Sequence, residues 1–279
     1  MKKLILSCAL FGFLLLNSSF AQEVIQIDWE ELQKTEPWKA TEQWKPVPEK
    51  VTPGFLTAPP SDAIILFDGK SLDHWHAPKY GYGARMDQVE SIIKAKVNNP
   101  TFTPPKWDVK DGAMIVKPGG GAIETKQAFG DIQLHLEFLS PVDPGKEGQG
   151  YSNSGVFLMG LYEVQVLNSY ENTTYPNGQA GAVYKQHIPL VNASRPPGEW
   201  QAYDMIFKAP VFNEDGTLKS PAYLTVLHNG VIIQNHVELK GPAIYIGEPY
   251  YTKHPAKLPL LLQDHGDKVR FRNIWVREL

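Results

Sequence analysis

Cysteine is almost missing from this chain: Cys8 is the only one in 279 residues. Beyond that position no disulfide can form, and neither thiolate catalysis nor a Cys-ligated zinc site is available. Basic tracts are also missing. With a formal charge of −3, nucleic acid and anionic membrane surfaces are poor partners. No apolar run after residue 21 is long enough to span a bilayer. A phosphate-cradling glycine loop is lacking, because Gly119-Gly120-Gly121 sits between two strand-like runs and opens no helix. There is no Gly-x-Ser-x-Gly elbow either: "NSGVF" around Ser154 lacks the first glycine and leads into a strand. The pair His74 and His76 could face one side of an extended segment, but no third ligand is marked by spacing. Metal ligands are therefore not assigned.

What is present begins with a leader. Lys2 and Lys3 precede the apolar run Leu4–Leu16, and Ser19-Phe20-Ala21 has the small-x-small form of a cleavage site. Residues 1–21 are expected to be a secretory signal peptide cleaved after Ala21, with the protein periplasmic or secreted. Ile5-Leu6-Ser7-Cys8 loosely resembles a lipobox, but cleavage there would leave almost no apolar segment after the lysines, so a lipoprotein is not expected. The remaining 258 residues (279 minus 21) suffice for one large β-domain with its own core.

Residues 22–61 form a Trp- and Pro-rich N-terminal arm, read as a helical turn or two and then an extended stretch that docks its tryptophans, Trp29, Trp38 and Trp44. From residue 62 to 279 short β-runs alternate with Gly, Pro and Asn turns, the texture of an all-β, two-sheet antiparallel sandwich. In "DIQLHLEFLS", Ile132, Leu134, Leu136 and Phe138 share one face and Gln133, His135 and Glu137 the other, wetter one. Asn229-Gly230 marks a hairpin. The final run, "VRFRNIWVREL", reads as a strand away from the sheet edge. One segment departs from the pattern: Met86, Val89, Ile93 and Val97 recur at helical spacing, which predicts one short helix inside an insertion at about 78–106.

Polar residues on otherwise apolar strands supply the candidate site. Glu163 and Gln165 share a face by the two-residue period, with Tyr162, Val164 and Val166 opposite. Glu124, Asn153, Ser154, Lys185, Gln186, His187, Asp264, His265, Arg270 and Arg272 add carboxylate, amide, imidazole and guanidinium groups. Tyr151, Tyr170, Tyr175, Tyr184 and Trp200 lie among them in sequence. A carbohydrate site has this composition, since hydroxyls bond to amides and carboxylates while sugar C–H faces stack on rings. The alternative for each residue is a solvated outer face.

The blocks "LFDGKSLDHW" (66–75), "NSGVFLMGLYEVQVLNSY" (153–170), "GQAGAVY" (178–184), "PPGEWQAYDMIF" (196–207), "VLHNGVIIQN" (226–235) and "LLLQDHGDKVRFRNIWVREL" (260–279) occur in that order. Together they resemble the 3-keto-disaccharide hydrolase family over roughly residues 62–279. The resemblance implies a concanavalin A-like sandwich of jelly-roll type whose concave face binds sugar. It also implies cleavage of 3-keto-glycosides, made by a separate sugar oxidoreductase, through proton abstraction at C2, elimination and hydration. Carried over by motif, Glu163 of "YEVQ" and His265 of "QDHG" are the base and acid, in unassigned order. Asn153, Gln165 and Arg272 bind and polarise the sugar, and Glu124 is a second carboxylate in the cleft. Lys185 and Trp200 join the expected substrate-binding set. No cofactor is implied with certainty; a divalent cation would draw on Asp264 and His265. Asn168 stands where the family commonly has Asp. Two other readings remain: a non-catalytic carbohydrate-binding module, and an ordinary glycosidase pairing Glu163 with Glu124 or another carboxylate.

Overall fold

A computed structural model of the chain describes residues 28–81, 85–98 and 102–279. The expected signal peptide lies outside them. The chain divides into two compact units, residues 1–50 and 51–279. In the first, helix α1 (Trp29–Thr35) is followed by a 3-10 turn (Pro37–Thr41), and Trp38 and Trp44 are largely exposed. The helical turns expected there are present. The division falls after Lys50, so the last part of the segment read as the arm belongs with the β-domain.

The second unit contains fifteen strands among its described residues. In chain order they are β1 (Ile64–Phe67), β2 (Trp75–His76), β3 (Asp108–Lys110), β4 (Ala113–Ile115) and β5 (Ile123–Phe129). Next come β6 (Ile132–Leu139), β7 (Ser154–Leu158), β8 (Tyr162–Val166), β9 (Trp200–Lys208) and β10 (Val211–Phe212). The last five are β11 (Leu218–Ser220), β12 (Tyr223–His228), β13 (Val231–Glu238), β14 (Leu258–Leu262) and β15 (Arg270–Glu278). An eight-stranded sheet runs β13-β12-β9-β6-β15-β4-β3, with β1 also paired to β15. A five-stranded sheet runs β2-β5-β14-β7-β8, and β10 pairs with β11 in a separate ribbon. All these strand pairings are antiparallel, as the short alternating runs require.

One apolar core joins the two sheets. Leu134, Leu136, Phe138, Tyr203, Phe207 and Phe271 from the large sheet meet Val156, Leu158, Tyr162, Val164, Leu260 and Leu262 from the small one. Each such side chain contributes roughly 1.5–3 kcal/mol by leaving water. The β12–β13 hairpin turns at Asn229 and Gly230, with φ of 53° and 80°, the left-handed pair that a tight turn of this kind needs. Strand β15 is central, flanked by β6 and β4, so the expectation that it is not an edge is met.

Two local expectations change. The face of β6 opposite the core is not wet: His135 and Glu137 are both buried. His135 Nδ1 lies 2.7 Å from Asp204 Oδ1, and Glu137 accepts from Arg272 Nε at 2.6 Å and from Asn273 Nδ2 at 3.0 Å. The carbonyl of Thr57 accepts from Asn273 Nδ2 at 2.9 Å and from Trp275 Nε1 at 3.2 Å, so the segment after Lys50 lies against this face. Helix α2 (Met86–Asn98) forms inside the insertion as expected, but it turns Val89, Ile92, Ile93 and Lys96 inward and leaves Val97 exposed. A buried lysine takes the place that apolar periodicity gave to Val97.

Candidate active site

Strand β8 carries the centre of the site. Its alternation sends Tyr162, Val164 and Val166 into the core and Glu163 and Gln165 to the other face of the small sheet. There they line a cavity of about 520 Å³ with Asn153, Gln149, Gln263 and His265 as its other polar groups. Phe157, Tyr175, Tyr184, Ala243, Ile244 and Tyr245 form the apolar walls, and Lys185 completes the rim. Phe157, Leu261 and Ala243 pack together beneath this surface, with Ala122 and Tyr184 against them. The result is a ring-sized hollow with amides on one side and aromatic rings on the other.

Glu163 is only 5% exposed, and its carboxyl has no hydrogen-bond partner among the described residues. Burial alone pushes its pKa up to about 8. Gly155, opposite Gln165 across the β7–β8 pair, makes room for it: a Cβ there would lie 2.4 Å from Glu163 Oε1 and 2.8 Å from the Phe157 ring. The amides are ordered around this carboxyl. Gln165 Nε2 donates to Asn153 Oδ1 at 3.2 Å, and Asn153 Nδ2 donates to the Gln149 carbonyl at 2.8 Å. The Asn153 backbone N–H bonds to Asp267 Oδ2 at 2.8 Å, and Lys146 contacts the other oxygen of that carboxylate. Gln263 is tied to β7 through its main chain, yet its buried Oε1 has no partner among the described residues. Such an acceptor is suited to a ligand hydroxyl.

Of the residues singled out in the sequence, Glu163, His265, Asn153, Gln165 and Lys185 therefore meet around one cavity. His265 sits at the exposed rim. Three others do not join them. Glu124 lies on the same row of the small sheet, linked through Leu261 and Phe157 to Glu163, but three strands away. That is about 14 Å at roughly 4.8 Å per strand, beyond the roughly 5–10 Å that paired glycosidase carboxylates need. Its oxygens are also occupied. Lys96 Nζ bonds to Oε2 at 2.8 Å, His76 Nε2 lies 3.1 Å from Oε1, and the Tyr80 hydroxyl donates to Oε1. Burial would raise the Glu124 pKa, but His76, the Lys96 charge and Tyr80 outweigh it and hold the carboxyl low. Desolvation lowers the pKa of Lys96, with Glu124 opposing it.

Arg272 and Trp200 lie in the other sheet, on the face turned away from the core. The Arg272 guanidinium stacks 4.0 Å over the Trp200 ring while bonding to Glu137. Nothing in the sequence says which sheet their strands enter. Asn168 is buried and outside the cavity; its side chain accepts the Tyr170 N–H at 3.3 Å, a turn-closing role that Asp would serve equally. Among the described residues no three His, Asp or Glu side chains form a cation site. Asp264 accepts from the backbone N–H groups of Gly121 and Gly266 at 2.9 and 3.0 Å. Gln149, Gln263, Phe157 and Tyr245 were not singled out in the sequence, because they come from loops and facing strands with no spacing to link them.

Comparison with known proteins places the chain in a family. The family described as the 3-keto-alpha-glucoside-1,2-lyase-like domain matches residues 62–277. A curated Bacteroides thetaiotaomicron protein named 3-keto-disaccharide hydrolase is 24% identical over 257 residues, covering 77% of this chain and 78% of that one. A Parabacteroides distasonis crystal structure called a glycosyl hydrolase is 44% identical, with a TM-score of 0.75 over 86% of this chain and 96% of its own. A second structure from that organism, 18% identical at a TM-score of 0.52, shares the fold. With its sandwich and nearly its whole β-domain matched, the chain belongs to the 3-keto-alpha-glucoside-1,2-lyase-like family.

Proposed function

We propose that the chain is an exported enzyme that cleaves 3-keto-glycosides, with Glu163 removing the C2 proton. The observation that carries this reading is the buried Glu163 carboxyl, unpaired at the cavity and with its pKa raised to about 8. A base of that strength is better matched to a carbon acid than an ordinary surface carboxylate, and near neutral pH a useful fraction is ionised. The chain's relatives are named for the same substrate class. The Glu124 carboxylate is engaged elsewhere, which leaves Glu163 without the second carboxyl that an ordinary glycosidase mechanism uses.

The chemistry follows from the ketone. Glu163 takes the proton from C2, and the electron pair moves to form an enolate on the C3 oxygen. The spare N–H of Gln165 is the donor available to that oxygen. The enolate then expels the C1 substituent, so the C2–H and C1–O bonds break and a C1–C2 double bond forms. His265, at the rim, returns a proton to the departing oxygen. Water adds across the double bond, hydroxyl at C1 and hydrogen at C2, to give the free 3-keto-sugar. The sum is hydrolysis. Such a substrate has to be supplied by an oxidoreductase that acts on the sugar's C3 hydroxyl.

Incubation with a 3-keto-disaccharide and with its unoxidised parent tests the reading. Release of monosaccharide from the keto compound alone is expected. Equal release from both would overturn it.

A further inference from the structure

A second cavity of about 470 Å³ adjoins the first and shares Tyr175, Tyr184, Lys185, Ile244 and Tyr245 with it. Both volumes fall in the roughly 300–1,000 Å³ range of small-ligand sites. At the other end of the row that Glu163 begins, Lys96 from α2 and Tyr80 of the insertion are bonded to Glu124. The adjoining cavity gives a ligand seated on Glu163 and longer than one ring room for its second ring.

Lys185 stands at the seam. Its φ of 59° is left-handed, a conformation that glycine adopts freely and lysine does not. The backbone is held there by its own N–H to the Asn177 carbonyl at 2.8 Å. The ammonium bonds to the Tyr245 carbonyl at 2.8 Å and lies 4.2 Å from the centre of the Tyr245 ring. This backbone places a cation between the two hollows. Tyr245 and Tyr175 are 58% and 39% exposed, so both rings are accessible at the mouth. Asn177 and Glu248 add an amide and a carboxylate on the far side. Rings with flanking hydrogen-bonding groups recognise a hydroxyl-rich ring.

We infer that the second cavity is a subsite for the leaving group, that it takes a second sugar ring, and that Lys185 bonds to that group across the scissile linkage. The inference rests on the reading of Glu163 as the centre of cleavage. Equilibrium binding to the Glu163→Gln protein, which leaves the probes intact, tests it with a 3-keto-disaccharide of glucose and the one-ring methyl 3-keto-glucoside. Tyr245→Ala and Glu248→Ala are then added in turn; both side chains are exposed, so the fold should survive. The Glu163→Gln protein is expected to bind the disaccharide at least tenfold more tightly than the methyl glycoside. Each added change should remove most of that preference, lowering the ratio of the two constants. Equal binding of both probes before those changes, or a loss that leaves the ratio unchanged, would overturn the subsite. Cleavage by the protein with Glu163 intact separates the two claims. A retained preference with no cleavage would sink the hydrolase reading and leave the second-ring site standing.

Discussion

Glu163 and Gly155 show how a single position sets the chemistry. Because the Glu163 pKa is raised on folding, the protonated form is favoured in the folded chain. The associated stability is full below about pH 4.5 and is lost as pH rises to about 8. The loss runs at about 1.4 kcal/mol per pH unit across that window. Glu163→Gln should flatten this part of the curve, raising Tm at pH 8 relative to the unmodified protein and leaving it little changed near pH 4. The same variant should cut kcat by roughly 10²–10⁴-fold, as removal of a general base does. For the unmodified enzyme, the rising limb of kcat/KM against pH should report Glu163, with its midpoint at about pH 8, and the falling limb should report the acid. A profile with no rising limb in that range would take the role of base from Glu163. Gly155→Ala should depress activity and lower Tm, since the added Cβ would meet both the Glu163 carboxyl and the buried Phe157 ring. Gln165 and Glu163 were legible in the sequence because period-two alternation is a property of the strand itself. The unpaired state of Glu163 was not, because it depends on what the neighbouring strands leave empty.

Among the elements, helix α2 carries the clearest lesson. Apolar spacing located it inside the insertion, yet one of its inward residues is Lys96, whose side chain is wholly buried against Glu124. Periodicity ranks residues by hydrophobicity, and a buried ion pair is invisible to that ranking. Removing one partner leaves an uncompensated buried charge. Lys96→Ala should therefore cost about 3–5 kcal/mol by chemical denaturation, whereas Lys96→Met combined with Glu124→Gln should recover much of it. Glu124 was assigned to the cleft from sequence because its strand alternates correctly. Its carboxylate is diverted by Tyr80 and Lys96, which belong to an inserted segment far away in the chain.

Across the whole β-domain, strand identity and turn chemistry were readable in order, because Asn-Gly, Asp-Gly and alternating runs are local signals. Assignment of strands to sheets was not. Arg272 and Trp200 lie in the large sheet and Glu163 in the small one, and only long-range pairing decides that. On the large sheet, burial alone would lower the His135 pKa, but Asp204 and Glu137 raise it to about 9. Glu137 falls to about 2: burial alone would raise it, but the His135 ring 3.9 Å away, the Asn273 hydrogen bond and the Arg272 pair outweigh that. His135 therefore stabilises the fold below its ordinary value near 6.5, an effect lost as pH rises through about 9. Glu137 does so above about 4.5, an effect lost as pH falls toward 2. This cluster is structural, so Arg272→Ala should lower Tm and leave kcat/KM on a 3-keto-disaccharide within about threefold of the unmodified enzyme. Loss of activity at unchanged Tm would return Arg272 to the site.

The central claim is that cleavage begins with removal of the C2 proton by Glu163. The most direct measurement is the hydrogen content at C2 of the sugar released in D2O, read by NMR within the first turnovers and corrected for spontaneous exchange. Elimination and hydration predict one solvent deuterium at C2 of the released keto-sugar, with release nearly abolished in Glu163→Gln. Product that retains its original C2 hydrogen, or undiminished release by the variant, would contradict the account.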